Sequence, residues 1–316
     1  MKVQGRTHSP VEMEHPGETS GACLYSALEI ATKRTTKGDS MNDLTNTIHC
    51  GDCVDVMRQL LPDESIDLTV TSPPYDNLRT YNGYNLDFES IARELYRVTK
   101  AGGVVVWVVG DATVHGSETG TSFRQALFLR DHCGFNLHDT MIYRRVSPMP
   151  PNRRYWHTFE YMFVFSKGRP KTFNPLLQPK KASYSVGSFR TRQRDGTLVS
   201  LDKAGKQRLE EANRRRNRVR DNIWDIPAGW GRSTADRIAF CHPAIFPERL
   251  AEDHILSWSN PGDLVLDPMC GSGTTCKMAM INDRGYIGID VSEEYCRLAR
   301  KRLEMTTKRL RSATLR

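Results

Sequence analysis

The chain has 316 residues, 38% of them hydrophobic and 26% charged, which suits one sizeable core with room for an inserted lobe. No apolar run reaches the roughly 18 residues that span a bilayer, and the N-terminus lacks the order of a secretory leader, so a cytoplasmic protein with no membrane partner is expected. The net charge of +8 is unevenly spread: residues 167–220 hold 16 Lys/Arg and 4 Asp/Glu, against 29 and 33 elsewhere, a local excess that calls for a polyanionic partner.

Residues 1–40 are rich in Gly, Ser, Thr, Pro and charge, with a weak helical stretch at Leu24–Thr32, and read as a flexible extension running to residue 45. From there the pattern is regular. Thr47–Cys50 reads as a strand, Asp52–Leu61 as a helix, and Ile66–Thr71 as a buried strand stopped by Pro73-Pro74. Phe88–Thr99 spaces Ile91, Leu95 and Val98 as an amphipathic helix, with Gly102-Gly103 ending it before the apolar strand Val104–Val109. A helix over Phe123–Cys133 and strands over 139–145 and Phe159–Phe165 follow. The basic block then interrupts the pattern, with periodicity of its own only near Leu201–Arg218. Helix Phe246–Trp258, strand Leu264–Asp267, helix Gly273–Asn282, strand Tyr286–Asp290 and helix Glu293–Arg309 complete the chain. Alternating strands and helices predict an α/β fold with a doubly wound, mostly parallel sheet.

Two turns carry chemistry. Asp267-Pro268-Met269-Cys270-Gly271-Ser272-Gly273-Thr274-Thr275 leads an apolar strand through a glycine turn into a helix, whose N-terminus favours a negative ligand group. A phosphate loop would need a Lys beside Thr274 and Thr275, and a dinucleotide fingerprint a third Gly where Cys276 stands. Asp290 ends the next strand, 23 residues after Asp267, where an acid can hold a ribose diol or cap the following helix. The second turn is Ser72-Pro73-Pro74-Tyr75, at the carboxyl end of a buried strand. A hydroxyl at Ser72 and a fixed carbonyl at Pro73 suit the two hydrogens of an exocyclic amine that must become tetrahedral to attack a methyl sulfonium. An aromatic face at Tyr75 suits a base taken out of the duplex.

At these residues the sequence resembles the DNA amino-methyltransferases of the β class. Thr71–Tyr75 is similar to their catalytic motif and Asp267–Thr275 to their S-adenosyl-L-methionine (AdoMet) loop, in the class's order of catalytic half first. Gly51-Asp52 is similar to the motif whose acid contacts the cofactor adenosine. His242-Pro243-Ala244-Ile245-Phe246-Pro247 is similar to the segment that closes over the methionine end. Gly103–Asp111 and Arg153–Lys167 resemble two further catalytic-half motifs, and the resemblance spans about 46–168 and 235–305.

The resemblance implies a catalytic half at 46–168, a target-recognition region at 169–234 and an AdoMet-binding half at 235–316. The cofactor would be AdoMet, held by Asp52, His242, Pro243, Phe246, Pro247, Asp267, Pro268, Cys270, Gly271, Ser272, Gly273, Thr274, Thr275 and Asp290. The partner would be double-stranded DNA, met by Lys180, Lys181, Arg190, Arg192, Arg194, Arg214, Arg215 and Arg216 of the basic block. A second copy of the chain and a restriction endonuclease acting on the same site are further partners the resemblance allows. Ser rather than Asp at position 72 favours N4 of cytosine over N6 of adenine. Methylation of structured RNA and a silent AdoMet-sensing DNA-binding module are the other readings carried forward. Carbon-5 chemistry would need a Pro-Cys nucleophile, and the chain has no such dipeptide.

The eight cysteines lack paired ligand spacing beyond Cys50-x-x-Cys53, so buried thiols rather than a metal are expected. Tyr155, Trp156 and His157 read as core or as base-pocket residues. Trp224 and Trp230 read as anchors of the recognition region, and the Lys/Arg run from Arg297 as a solvated helical face.

Overall fold

The computed structural model describes residues 41–74, 86–145, 153–180 and 185–314; Tyr75, Lys181 and the stretch at 24–32 lie outside them. The first part of the described chain holds α1 (Met41–Leu44), β1 (Thr47–Cys50), α2 (Cys53–Leu60), β2 (Ile66–Thr71), α3 (Phe88–Val98) and β3 (Thr99–Val109). A small hairpin of β4 (Thr113–Val114) and β5 (Ser117–Glu118) leads to α4 (Thr121–Asp131), β6 (Asn136–Arg144) and β7 (Phe159–Ser166). The basic segment holds β8 (Leu177–Pro179), β9 (Arg190–Arg192), β10 (Leu198–Ser200), α5 (Lys203–Arg214), β11 (Asn217–Val219) and β12 (Ile223–Asp225). A 3-10 turn (Arg237–Cys241), α6 (Glu248–Trp258), β13 (Leu264–Asp267), α7 (Thr274–Ile281), β14 (Gly285–Asp290) and α8 (Glu293–Thr314) follow.

Among the described residues, eight strands form one sheet in the order β1-β14-β13-β2-β3-β7-β6-β12. Only β7 runs against its neighbours; the other pairings in this sheet are parallel. The central strands β2, β3, β13 and β14 are buried on both faces, as parallel strands between helix layers require, while β6 and β12 at one edge are partly exposed. Along β3, Val104, Val106 and Val108 pack with α6, α7 and α8, while Val105, Trp107 and Val109 pack with α2, α3 and α4. The expected α/β architecture is present. Its key adjacency is β2 beside β13, with Leu68 opposite Val265 and Thr69 opposite Leu266. Strands nearly two hundred residues apart in sequence therefore end side by side.

Two expectations are corrected, and the recognition region adds a strand that the sequence did not signal. Gly102-Gly103 does not separate α3 from the strand: α3 ends at Val98, and β3 starts at Thr99 and carries both glycines inside an irregularity, where pairing shifts between Ile66 and Leu68. A Cβ at Gly103 would sit 2.9 Å from the Lys100 carbonyl oxygen, so the bulge needs glycine for close approach. The packed body also begins earlier than residue 46, because Leu44 is buried against the α2 side. The basic segment is not wholly apart from the core. Ile223–Asp225 adds to the sheet beside β6, with Trp224 buried against His254 at 4.6 Å between rings. Trp224 is thus an anchor of the kind expected, whereas Trp230 is 72% exposed.

Candidate active site

β2 delivers Ser72 and its two prolines to the carboxyl edge of the sheet, and β13 delivers the glycine loop to the same edge one strand away. Direct bonds join the two ends. The Thr71 hydroxyl donates to Asp267 Oδ1 at 2.8 Å, and the Thr275 hydroxyl to the Val70 carbonyl at 3.1 Å. Asp267 is buried; that burial raises its carboxyl to about 6, against the bonds from Thr71, Thr275 and the Met269 N–H and with the nearby Asp290 charge.

Above this junction opens a cleft of about 820 Å³. Ser72, Pro73 and Pro74 line it together with Asp52, Asp267, Pro268, Gly271, Ser272 and Asp290. His242, Pro243, Phe246 and Pro247 line it as well. Cys270, Gly273, Thr274 and Thr275 do not line it; Cys270, Thr274 and Thr275 lie buried behind the loop.

Asp52 and Asp290 stand at the ends of paired strands, with Cys50 opposite Asp290. Asp52 caps α2, accepting from the Val54 N–H at 2.8 Å. Asp290 accepts from the Ser292 N–H at 2.9 Å, a turn bond just ahead of α8, and from the Gly271 N–H at 2.8 Å, which ties it to the loop; the helix cap is Ser292, whose hydroxyl accepts from the Tyr295 N–H at 3.4 Å, and not Asp290 as the alternative reading had it. Burial raises the Asp290 carboxyl, opposed by those two bonds. Gly271 has φ +49°, and a Cβ there would meet His242 Nε2 at 2.8 Å; the imidazole lies against the loop. His242 Nδ1 in turn lies 2.8 Å from the Ala244 carbonyl oxygen, and its ring meets Tyr295 edge-on at 4.4 Å.

Several residues in and behind this cleft were not singled out from the sequence. Tyr143, Arg145 and Glu160, from β6 and β7, line it. The Tyr143 hydroxyl is buried with no hydrogen-bond partner among the described residues, and Arg145 Nε lies 3.0 Å from Glu160 Oε1. Behind the loop, Arg302 is 1% exposed and ion-paired to Asp236 and Glu248, as is Lys277. Arg302 thus departs from the solvated-face expectation for α8, which Arg297, Lys301, Lys308 and Arg309 follow. The clue lay in spacing: Arg302 follows Ala299 by three and precedes Thr306 by four, on the helix's buried stripe.

Tyr155 and Trp156 are 99% and 52% exposed and stay outside the cleft, so neither the core nor the pocket expectation holds for them. Trp230 does line the cleft, its ring tilted against that of Phe240 at 4.3 Å between centroids. In the basic segment, Arg190, Arg192, Arg194, Arg214, Arg215 and Arg216 are exposed, and Lys180 is half-buried with its ammonium on the Ala212 carbonyl. Seven cysteines are described, all free, with Cys50 and Cys241 exposed rather than buried.

The Ser72-Pro73-Pro74 turn and the glycine loop stand at the ends of adjacent parallel strands, and the family match identifies the class. The DNA methylase model of the N6/N4 methyltransferases matches residues 66–301. The chain belongs to this family. Orphan methyltransferase M.BamHII of Bacillus amyloliquefaciens is 58% identical over 254 residues, 78% of this chain and 92% of its own length. Type II methyltransferase M.MthZI of Methanothermobacter thermautotrophicus is 28% identical over 291 residues, 78% of this chain and 74% of its own. Among solved structures, PvuII DNA methyltransferase (cytosine-N4-specific) aligns with TM-score 0.58 at 22% identity, covering 83% of this chain and 89% of its own. TTHA0409 of Thermus thermophilus, complexed with S-adenosyl-L-methionine, aligns with TM-score 0.54 at 24% identity, covering 82% and 93%. The fold is that of the AdoMet-dependent methyltransferases.

Proposed function

We propose that the protein transfers a methyl group from AdoMet to N4 of cytosine in duplex DNA, acting on a base turned out of the helix. The observation that carries this is the shared cleft: Ser72-Pro73-Pro74 and the Gly271-Ser272 loop face one space, on strands bonded to each other.

The residues present fit the cofactor. Asp52 and Asp290 offer carboxylates for adenosine and ribose hydroxyls, and the loop at the head of α7 offers an electropositive end for a carboxylate. The cleft, about 820 Å³, lies in the roughly 300–1,000 Å³ range of small-molecule sites. AdoMet supplies a methyl carbon made electrophilic by its sulfonium. Ser72 Oγ and the Pro73 carbonyl accept the two amine hydrogens, drawing the nitrogen lone pair out of the ring toward the incoming carbon. Transfer would break the methyl–sulfur bond as the N–C bond forms, and the amine proton would leave along the hydrogen bond to Ser72 Oγ and pass to solvent, the neutral hydroxyl relaying it without keeping it. Tyr75 provides the stacking face. The Arg145, Glu160 and Tyr143 side chains supply donors and an acceptor for the base edge.

The exposed arginines of residues 185–216, with Lys180 and Lys181, contact phosphates and hold the recognition region on the duplex. Serine at position 72 supports cytosine, as does the name of the structurally similar PvuII enzyme. Single-molecule sequencing of DNA from a host expressing the gene tests this, since it reports the modified base and its sequence context together. N4-methylcytosine in a fixed context is expected. N6-methyladenine would transfer the reading to adenine, and unmodified DNA would leave the silent-sensor alternative.

A further inference from the structure

Arg302 is buried with a partner for each of its five N–H donors, and those partners come from separate parts of the chain. Its Nε donates to Asp236 Oδ2 at 3.0 Å, its Nη1 to the Ser272 carbonyl at 3.2 Å and the Thr274 hydroxyl at 2.8 Å, and its Nη2 to the Thr234 hydroxyl at 3.0 Å and to Glu248. One guanidinium thus spans the glycine loop and both ends of the Thr234–Glu248 segment. Lys277, the fourth residue of α7, donates to the same two carboxylates at 2.6 Å each, and Arg309 takes the other oxygen of Asp236 at 2.7 Å. These cations hold the Asp236 carboxyl well below the usual carboxylate range, although burial alone would raise it.

The Thr234–Glu248 segment matters because its middle forms a wall of the cleft. Phe240, His242, Pro243, Phe246 and Pro247 all face in, and His242 rests on Gly271. Buried ion clusters are a weak source of stability, because desolvation consumes most of the Coulomb gain; apolar side chains of equal volume hold a core as well. What a planar fork adds is a fixed register among the groups it bridges, which neither apolar packing nor a lysine supplies.

We propose that Arg302 is a positioning residue for the cofactor: it locks the glycine loop and the Thr234–Glu248 segment together, so that both present the seat for the amino-acid end of AdoMet. The inference rests on the cofactor placement proposed above, with the adenosine end at Asp52 and Asp290.

The test is equilibrium binding of AdoMet and of 5′-methylthioadenosine, which keeps the adenosine and lacks the amino-acid end. The full chain is compared with Arg302→Gln, Arg302→Lys and Thr234→Val, each checked for folding by thermal melting. In Arg302→Gln the AdoMet Kd is expected to rise about tenfold while the methylthioadenosine Kd moves by less than about twofold. Arg302→Lys keeps the charge without the fork and should recover part of the loss. Thr234→Val cuts one strand of the link without stranding a buried charge and should give a smaller rise of the same selectivity. Should Arg302→Gln fail to fold, the other two decide. Parallel weakening of both ligands, or an unchanged AdoMet Kd in the folded variants, would overturn the proposal. Asp290→Asn separates the underlying placement: it should weaken methylthioadenosine, and its indifference would remove the placement itself.

Discussion

Ser72 and Asp267 divide the work at the point where the two strand ends meet. Ser72 follows Thr71 directly, and the Thr71 hydroxyl is anchored on Asp267, so the serine's backbone is held from below by a buried carboxyl. On the proposed placement, Ser72→Ala removes one acceptor for the amine. It should lower kcat by about 10²–10³, the usual cost of losing one preorganised transition-state partner, with AdoMet affinity unchanged in a binding titration. An equal loss of AdoMet affinity would assign Ser72 to the cofactor instead.

Asp267 gives a pH signature. Its folded-state pKa of about 6 lies above the unfolded value near 4, so its contribution is fully present below pH 4 and is lost as pH rises through about 6. Relative to Asp267→Asn, wild type should therefore lose up to about 3 kcal/mol of stability across that window, and no more above it. Urea unfolding at pH 4.5 and 7.5 measures the difference. A pH-independent gap between the two proteins would contradict it.

At the scale of elements, the cleft depends on a loop that only glycine permits. Gly271 has a left-handed backbone and the His242 ring against it, while Gly273 has φ +73° and its absent Cβ would meet that of Ala299 at 2.9 Å. Gly271→Ala adds both strain and a clash. It should cost about 1–3 kcal/mol in unfolding and weaken AdoMet at least several-fold, because His242 must retreat. A variant with wild-type Tm and AdoMet affinity would show the loop to be slack.

This loop was legible in the sequence because its chemistry is local: strand, glycine turn and helix are consecutive from Leu264 to Ile281. Ser72 was legible for the same reason. The Arg302 cluster was not, since its members at 234, 236, 248, 277 and 302 meet only once the crossovers are complete, and arginine on a terminal helix ordinarily faces water. Tyr143, Arg145 and Glu160 escaped for a related reason. The sequence marked both stretches as strands, but not which of their ends open on the cleft. The start of β3 was misread because two adjacent glycines signal a break more often than a bulge.

For the whole molecule, charge is segregated along the chain. The sheet and its helices are near neutral or slightly acidic, and the excess sits in the segment that carries α5, a helix with no buried residue. That segment hangs on the core through β12 and Trp224. DNA affinity should therefore fall steeply with salt, by counterion release. Replacing Arg214, Arg215 and Arg216 with alanine should weaken binding to all sequences alike and reduce the log–log salt slope by up to about 2.7, while AdoMet affinity stays the same. A full slope in the triple variant would take those arginines off the phosphates.

The central claim is that two turns far apart in sequence form one reaction chamber. Incubating duplex DNA with methyl-labelled AdoMet, then digesting to nucleosides, examines it most directly when wild type and Ser72→Ala are run side by side. Label in N4-methyldeoxycytidine with wild type, and its near-complete loss in a variant that still binds AdoMet, is the predicted result. Undiminished label with Ser72→Ala, or no label in DNA from a wild-type protein that binds AdoMet, would contradict it.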